Sequence, residues 1–466
     1  MQFLGVDIPN YIFPELDPSF LPIKQFNSAF LKRASQGERI AIALERQDGQ
    51  IATSHTFIHG TMNMKDADHY YVDRLVKTLL WMKGGFRIYM SGPEDIYKYI
   101  AEAYSANGSR AFDQEFMAGV YEHPFEVIRV DKIPEENNSP ERIGGHTDGC
   151  RIGFDAGGSD RKVSAVLDGT SVFDEEVVWF PKTNADPQYH YEGIVDALRR
   201  AASHLPRVDA VGVSSAGIFI NNRAMVSSLF RAVPEELQDS RTKDIYIRAI
   251  RDTFGDIPFA VANDGDVSAL AGMKSLEKKE VLGIAMGTSE AAGYVDASGR
   301  VTGWLNELAF VPVDCAPVAM RDEWSGDIGC GVKYFSQDAV IKLAPCAGIE
   351  LEENASPAEK LKTVQERMRA GDPAAKRIFE SIGAYLGHSL AFYHDLYAMR
   401  NVLLLGRVTS GEGGTLILNK ARQVLAEDYP KIAESVQIAL PDERFRRVGQ
   451  SAVAAGLPAL NATVQQ

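Results

Sequence analysis

Cysteine is scarce in this chain of 466 residues, long apolar runs are missing, and nowhere do lysine and arginine gather into a stripe. Each lack removes a class of protein. The four cysteines, Cys150, Cys315, Cys330 and Cys346, form no CxxC pair and no dense framework, which argues against a disulfide-built secreted fold and for a reducing cytoplasm. No stretch approaches the roughly 20 apolar residues of a membrane helix, and the opening MQFLGVDIPNYIF lacks the basic-then-apolar layout of a secretory signal. A formal net charge of −14 gives no long-range attraction to nucleic acid or anionic lipid, so neither is expected as a partner. Histidine is absent between His204 and His388.

What is present is an ordinary globular composition, 45% hydrophobic and 24% charged, long enough for two or three domains of about 100 to 200 residues. Residues 131–149, DKIPEENNSPERIGGHTDG, are polar, rich in Pro, Asn and Gly and without a periodic apolar face, so they read as a linker. Before it, RIAIALERQDGQIATSHTFI reads as two strands around Asp48 and Gly49. DADHYYVDRLVKTLLWMKGG reads as a helix stopped by Gly-Gly, and FRIYMSGPEDIYKYIAEAYSANG as strand, turn and helix. This is an α/β unit over 1–130 with no catalytic constellation.

After the linker the pattern is a strand pair, a helix and a strand, repeated. IGFDAGGSDRKVSAVLDG places Asp155, Gly157, Gly158 and Ser159 in the turn between two strands. EVLGIAMGTSEAAGYVDASGRV repeats that design with Gly287, Thr288 and Ser289. Two similar βββα halves predict a duplicated fold with a cleft between them. Glycines at a strand turn let backbone N–H groups approach an anion and form a phosphate nest, and Asp155 supplies a carboxylate able to hold Mg²⁺ through water. Each loop alone reads as a tight hairpin with a capping Asp; the matched pair points to a nucleotide. In IPFAVANDGDVSALAGMKSL, a buried strand ends in Asn263 and Asp264, where α/β folds bind ligands. Asp264 there can accept the proton of a hydroxyl during phosphoryl transfer, or act as an N-cap, a role Asp266 could also fill.

The order D-x-G-G-S at 155–159 with Asp168 closing the hairpin, SSAG at 214–217, ND at 263–264, GTS at 287–289 and GxxNE at 303–307 resembles the ROK sugar kinases of the actin-like ATPase superfamily. The likeness runs over roughly residues 150–460 and continues in IGAYLGHSLAFYHDLYAMRNVLLLGRVTSG. It implies two actin-like (ribonuclease H-like) α/β lobes around a central cleft, 150–262 together with a C-terminal helix at about 445–466, and 263–444, plus the extra N-terminal α/β unit. That unit would cover the cleft or mediate self-association as a homodimer. The implied activity is transfer of the γ-phosphoryl of ATP to a hexose hydroxyl, commonly the 6-hydroxyl. By the same resemblance Asp264 is the base, Asn263, Glu307 and Gly217 meet the sugar, the loops 155–159 and 287–289 clasp the phosphates with Mg²⁺ at Asp155, and Gly406 meets adenosine.

The departures are specific. Phe310 stands where the family has the histidine that binds a structural zinc or orients the sugar. Cys330 has no partners at ligand spacing, so no zinc is expected and the cysteines read as buried apolar residues. Val332 replaces a sugar-binding glutamate. Asp160 and Glu290 add carboxylates beside the phosphate loops, which would repel polyphosphate unless compensated, and Arg407 replaces the second glycine of the adenosine turn. Two readings follow: a cytoplasmic kinase for a sugar other than free glucose, or a non-catalytic sugar- or nucleotide-binding regulator. Trp304 and Trp324 read as packing residues, Ser356 or a neighbour as a helix cap, and His388 and His394 as structural.

Overall fold

The computed structural model describes residues 1–138, 143–442 and 449–460. The linker expected over 131–149 and the helix expected at about 445–466 lie partly outside them. Two compact units emerge, each assembled from separate parts of the chain.

One unit comprises Pro140–Gly283, Gly293–Gly303 and Pro441–Gln466. Its five-stranded sheet is ordered Phe259–Asn263, Ala210–Ser215, Cys150–Ala156, Asp160–Leu167, Thr170–Val178. The first three strands are parallel and the remaining pairings antiparallel. The sequence explains the ordering. Cys150–Ala156, apart from Arg151 and Asp155, and Ala210–Ser215 carry small and apolar residues, and both are buried along their whole length, as central strands covered on both faces must be. Thr170–Val178, with polar residues at most positions, is the exposed edge. Helices Pro187–Ala202 and Ile245–Phe254 cover one face through Ile194, Leu198, Ile245 and Tyr246.

The short helix Gln450–Ala454 belongs to this unit and rests directly on the strands. A Cβ on Gly153 would overlap the Ser451 carbonyl oxygen, and one on Gly212 that of Ala454, so the close approach requires glycine at both.

The other unit comprises Met1–Ser139, Ile284–Ala292 and Trp304–Leu440. It carries a sheet ordered Ile51–Ile58, Glu38–Glu45, Arg87–Ser91, Glu126–Arg129, and the chain also forms a sheet ordered Glu290–Val295, Val281–Met286, Asn401–Leu405, Gln437–Ala439. The hairpin expected around Asp48 and Gly49 is present, both residues adopting the left-handed φ its turn requires. The helix Lys65–Lys83 ends at Gly84, as its Gly-Gly stop predicts. Pro373–His394 is buried from Ser381 through Tyr393, which explains why its sequence is apolar on every side.

The division differs from the expected 1–130, 150–262 and 263–444. The N-terminal residues are packed into the same unit as 304–440, and the reason is electrostatic. Arg74 and Arg110 each reach Asp327 Oδ2 at 2.7 Å, and Lys77 at 3.3 Å. Asp113 accepts from Lys77 at 3.0 Å, and Asp73 pairs with Arg110, so three cations meet three acids in a buried network. His388 is pinned in the same way, between the Tyr429 hydroxyl at 2.8 Å and the Ile12 carbonyl at 2.9 Å, the structural role its sequence suggests.

The second βββα half also departs from expectation. After Glu290–Val295 no third strand follows; the chain runs through turns and short 3-10 segments to Lys333. The N–H groups of Asn306 and Glu307 donate to the Met82 and Trp81 carbonyls at 2.9 and 3.1 Å, taking hydrogen bonds that a sheet would otherwise supply. Among the described residues no helix is long and apolar enough to cross a membrane.

Burial alone would raise the Asp327 pKa, but Arg110, Lys77 and Arg74 outweigh it and hold the carboxyl well below the usual range. A lowered folded pKa stabilises above the unfolded value of about 4 and is lost as pH falls toward the folded one. Asp327→Asn is expected to destabilise the protein by about 3 to 5 kcal/mol at pH 7 by leaving buried cations uncompensated. Denaturant melts from pH 7 to pH 3 check this, the difference from wild type shrinking at the acid end.

Candidate functional site

Three adjacent parallel strands deliver their carboxyl ends to one place. Register pairs Ser214 with Asp155 and Ser215 with Asn263, so Asp155, the two serines, Asn263 and the following Asp264 are neighbours because the strands are in step. Asp155 ends its strand buried and accepts from Ser214 Oγ at 2.8 Å. Ser215 bonds the Tyr246 hydroxyl at 2.8 Å, which fixes the floor beneath.

The turn after Asp155 is held from outside. Trp179 Nε1 donates to the Gly157 carbonyl at 2.7 Å and its backbone N–H to Ser159 at 3.2 Å. A Cβ on Gly158 would lie 2.6 Å from Lys182 Cε, so the glycine makes room for a lysine stem. Lys182 has no ion-pair partner among the described residues, and its charge also acts on Asp264. Sequence reading missed this residue, because a lysine in a loop 24 positions after Gly158 carries no periodic or motif signal.

Asn263 caps a helix. Its Oδ1 accepts from the Gly265 N–H at 2.6 Å and its Nδ2 donates to the Gly217 carbonyl at 2.6 Å, so both ends of the amide are engaged within the protein. Asn263 is the N-cap of helix Asp264–Leu276, which frees Asp264 and Asp266 from that duty. Gly217, at φ 143°, has a backbone that other residues rarely adopt, and its carbonyl is the anchor Asn263 holds.

Burial pushes Asp155 up to about 6; the Ser214 hydroxyl opposes that shift and the charge of Asp264 adds to it. Asp264 is also raised, by burial, against the N–H groups of Gly265 and Asp264 and the Lys182 charge. Two acids that feel each other's charge, with the Lys182 charge acting on one of them, suit proton transfer and cation binding.

The remaining expected residues lie in the other unit. Gly287 donates to the Ser289 carbonyl at 3.0 Å, closing that loop, and its own carbonyl accepts from Gln337 at 2.9 Å. Arg407 donates to Thr288 Oγ1 at 2.9 Å, and Gly406 lies against Met286, where a Cβ would collide with backbone. The residue that replaced a glycine therefore sets a cation on the Gly287–Ser289 loop. Gln365 donates to the Arg407 carbonyl at 2.6 Å, and a cavity of about 190 Å³ opens there, lined by Gln365, Arg369, Phe379, Ser410 and Gly413. A larger groove of about 420 Å³, bounded by Arg39, Thr53, His55 and Lys132, contains none of the expected site residues.

Glu307 is half-buried at the start of the turn Leu308–Phe310. Phe310, in place of the histidine, stacks on Trp81 at 4.1 Å, and Trp324 packs edge-on against it at 5.3 Å. Glu290 does not face the phosphate loop as expected. It begins the strand Glu290–Val295 with its side chain buried toward Gly331 and Leu308, since the first strand residue turns its side chain off the loop. The expectation that all cysteines are buried fails at Cys346, which is exposed, while Cys150, Cys315 and Cys330 are buried. Among the described residues no three His, Cys, Asp or Glu side chains group as a metal site would.

Asp155→Asn tests the electrostatics without reference to any ligand. A raised folded pKa stabilises below the unfolded value and that stability is lost as pH rises through about 6. The neutral variant is expected to be more stable than wild type by about 2 kcal/mol at pH 8 and indistinguishable near pH 3, read from denaturant melts.

No protein-family model matches the chain, and no curated protein does. Solved structures do. A ROK hexokinase from Thermus thermophilus is 19% identical over 66% of this chain and 96% of its own, with a TM-score of 0.51. A ROK family transcriptional regulator, a homologue of the E. coli MLC protein, is likewise 19% identical over 66% of this chain and 77% of its own, also at 0.51. The chain thus has the duplicated actin-like ATPase fold that ROK hexokinases and ROK regulators share.

Proposed function

We propose that the chain is a member of the ROK family and an ATP-dependent sugar kinase, with Asp264 as general base. One observation carries this reading: a buried acid, Asp155, and a half-buried one, Asp264, stand beside a glycine turn at the carboxyl ends of three parallel strands. The Thermus structure is that of a hexokinase, which agrees with a sugar as acceptor.

In the proposed reaction the acceptor hydroxyl gives its proton to the Asp264 carboxylate as its oxygen bonds to the γ-phosphorus. The bond from that phosphorus to the β-γ bridging oxygen breaks, and ADP leaves with the electron pair. Burial raises Asp264, which strengthens it as a base and delays its ionisation to higher pH. Gly157, Gly158 and Ser159 would receive phosphate oxygens on backbone N–H groups, with Lys182 supplying the positive charge that Asp160 removes. Gly287, Thr288 and Ser289 would do the same, aided by Arg407, and the cavity beside Gly406 would hold the nucleoside.

Mg²⁺ fits the donor set: Asp155 has one oxygen bonded to Ser214 and is otherwise a hard oxygen ligand in a site with a second acid. When bound, Mg²⁺ neutralises phosphate charge. Asn263 is reassigned from sugar contact to positioning, since its amide holds the Gly217 carbonyl and caps the helix that begins with Asp264. Glu307 is retained as a sugar-hydroxyl acceptor, and the 6-hydroxyl of a hexose or hexose derivative as the phosphorylated position.

The competing reading is a non-catalytic regulator, and the equal likeness to a ROK transcriptional regulator keeps it in view. Asp264 favours the kinase, because a carboxylate raised above its ordinary value suits a general base. ADP release is measured with Mg²⁺-ATP across hexoses, amino sugars and polyols. Sugar-dependent turnover is expected, falling about a thousandfold in Asp264→Asn, while Lys182→Ala raises the KM for ATP more than it lowers sugar affinity. Sugar binding without turnover in the wild type would select the regulator.

A further inference from the structure

Of the four tryptophans, Trp81 and Trp179 are buried and Trp304 is half-buried, but Trp324 is 60% exposed. The packing role that its sequence suggests is met on one side alone. Its indole stands steeply against three phenyl rings, Phe310 at 5.3 Å and Phe112 and Phe116 at 5.9 Å each, with interplanar angles between 65° and 82°. Phe112 and Phe116 lie one turn apart on the helix Ala111–Tyr121 and are themselves half-buried. Apolar side chains scattered singly over a surface are ordinary, whereas aromatic rings in mutual contact make a patch that a ligand or partner covers.

The indole is also held in place before anything binds. The turn that carries it is closed by the Gly326 N–H on the Asp322 carbonyl at 2.9 Å and by the Ser325 N–H on the Asp322 carboxylate at 2.8 Å. Three residues on, Asp327 is fixed by Arg74, Lys77 and Arg110. A ring already ordered loses little conformational freedom on binding.

Its surroundings point to the occupant. Phe310, against which Trp324 packs, closes the turn that Glu307 opens, its N–H donating to the Glu307 carbonyl at 3.1 Å. On the other side Glu323, next to Trp324 in the chain, pairs with Lys333. Lys333 belongs to the turn Gly331–Lys333, which packs closely on the Glu307 segment, since a Cβ on Gly331 would lie 2.6 Å from the Leu308 carbonyl oxygen. The patch is therefore continuous with the segment proposed to meet the sugar. Its rim is polar: the Glu323 carboxylate is exposed, and the Trp324 Nε1–H takes no hydrogen-bond partner among the described residues. A pyranose matches this combination, because one of its faces sets C–H bonds against an aromatic ring while the hydroxyls at its edge take donors and acceptors. We propose that Trp324 forms a second sugar subsite, so that the acceptor is a disaccharide or other glycoside whose further ring lies on the indole. This rests on the sugar-kinase reading and names its substrate class. Trp324 is then a specificity-determining residue, because a free hexose held at Glu307 gains nothing from the indole.

The test is calorimetric titration of D-glucose, maltose and cellobiose into the full chain, as wild type, Trp324→Ala and Trp324→Phe, with ADP release from Mg²⁺-ATP followed alongside. At least one disaccharide is expected to bind about tenfold more tightly than glucose, and to shield tryptophan fluorescence from acrylamide quenching. The difference between that disaccharide and glucose should collapse in Trp324→Ala, together with the shielding, and return in part in Trp324→Phe; thermal melts confirm that both variants fold. Equal binding of the three sugars, or a preference unchanged in Trp324→Ala, overturns the proposal. So does an altered oligomeric state in Trp324→Ala with saccharide binding unmoved, which would assign the patch to a protein contact. Should glucose be phosphorylated while both disaccharides are rejected, this inference fails and the kinase reading stands. If none of the three binds or is phosphorylated, both fail.

Discussion

A carboxylate taken out of water must be given a partner, and the ways in which this chain meets that demand organise its structure. Asp327 is the case on which the most depends. It lies in a stretch with no strand or helix of its own between Gly303 and Lys333 beyond short 3-10 turns. Arg74, Lys77 and Arg110, all from the N-terminal third, fix it there, and Asp73 and Asp113 balance the excess positive charge. Trp81 joins the charged network to the aromatic cluster by donating to Asp113 at 2.9 Å while stacking on Phe310. The position of the Glu307 turn follows from this, because its backbone is bonded to the end of the same helix.

The acids given weaker partners lie where the chemistry is proposed. Asp155 has one serine, Asp264 has backbone N–H groups and the Lys182 charge, and Glu290 has no hydrogen-bond partner among the described residues. All three are raised above the ordinary carboxylate range, whereas Asp327 is held below it. Asp314 is instructive between these extremes. Three hydrogen-bond donors and the Lys342 charge oppose its burial, which still raises it to about 6. Asp155 ends its strand in a sheet in register, with Ile152, Phe154 and Val213 fully buried in the same core.

Local features were legible in the sequence, and long-range compensation was not. The strand, glycine turn and strand around Asp155 could be read because alternation and small residues are local signals, as could the hairpin at Asp48–Gly49 and the Ser356 cap, which forms a full capping box with Glu359. The placing of Asp264 after a buried strand was readable for the same reason. The cap itself was expected at Asp264 or Asp266 and is taken by Asn263, because a sequence shows that a cap is needed but not which nearby polar residue takes it. The N-terminal 130 residues looked separable because the contacts that bind them cross 217 and 253 positions, from Arg110 and Arg74 to Asp327. Glu290 was read as a neighbour of phosphate because it follows Ser289; only the direction of the strand that it begins reveals that it faces inward.

The partner given to each buried carboxylate separates scaffold from site. The most direct test is a carboxyl ¹³C NMR titration of the protein labelled at aspartate and glutamate, assigned by single substitutions. Asp327 should stay ionised through the ordinary carboxylate range, Asp155 should titrate near 6, and Asp264 and Glu290 should take up protons above their usual values. Titration of Asp155, Asp264 and Glu290 together with the surface carboxylates near pH 4 would contradict it.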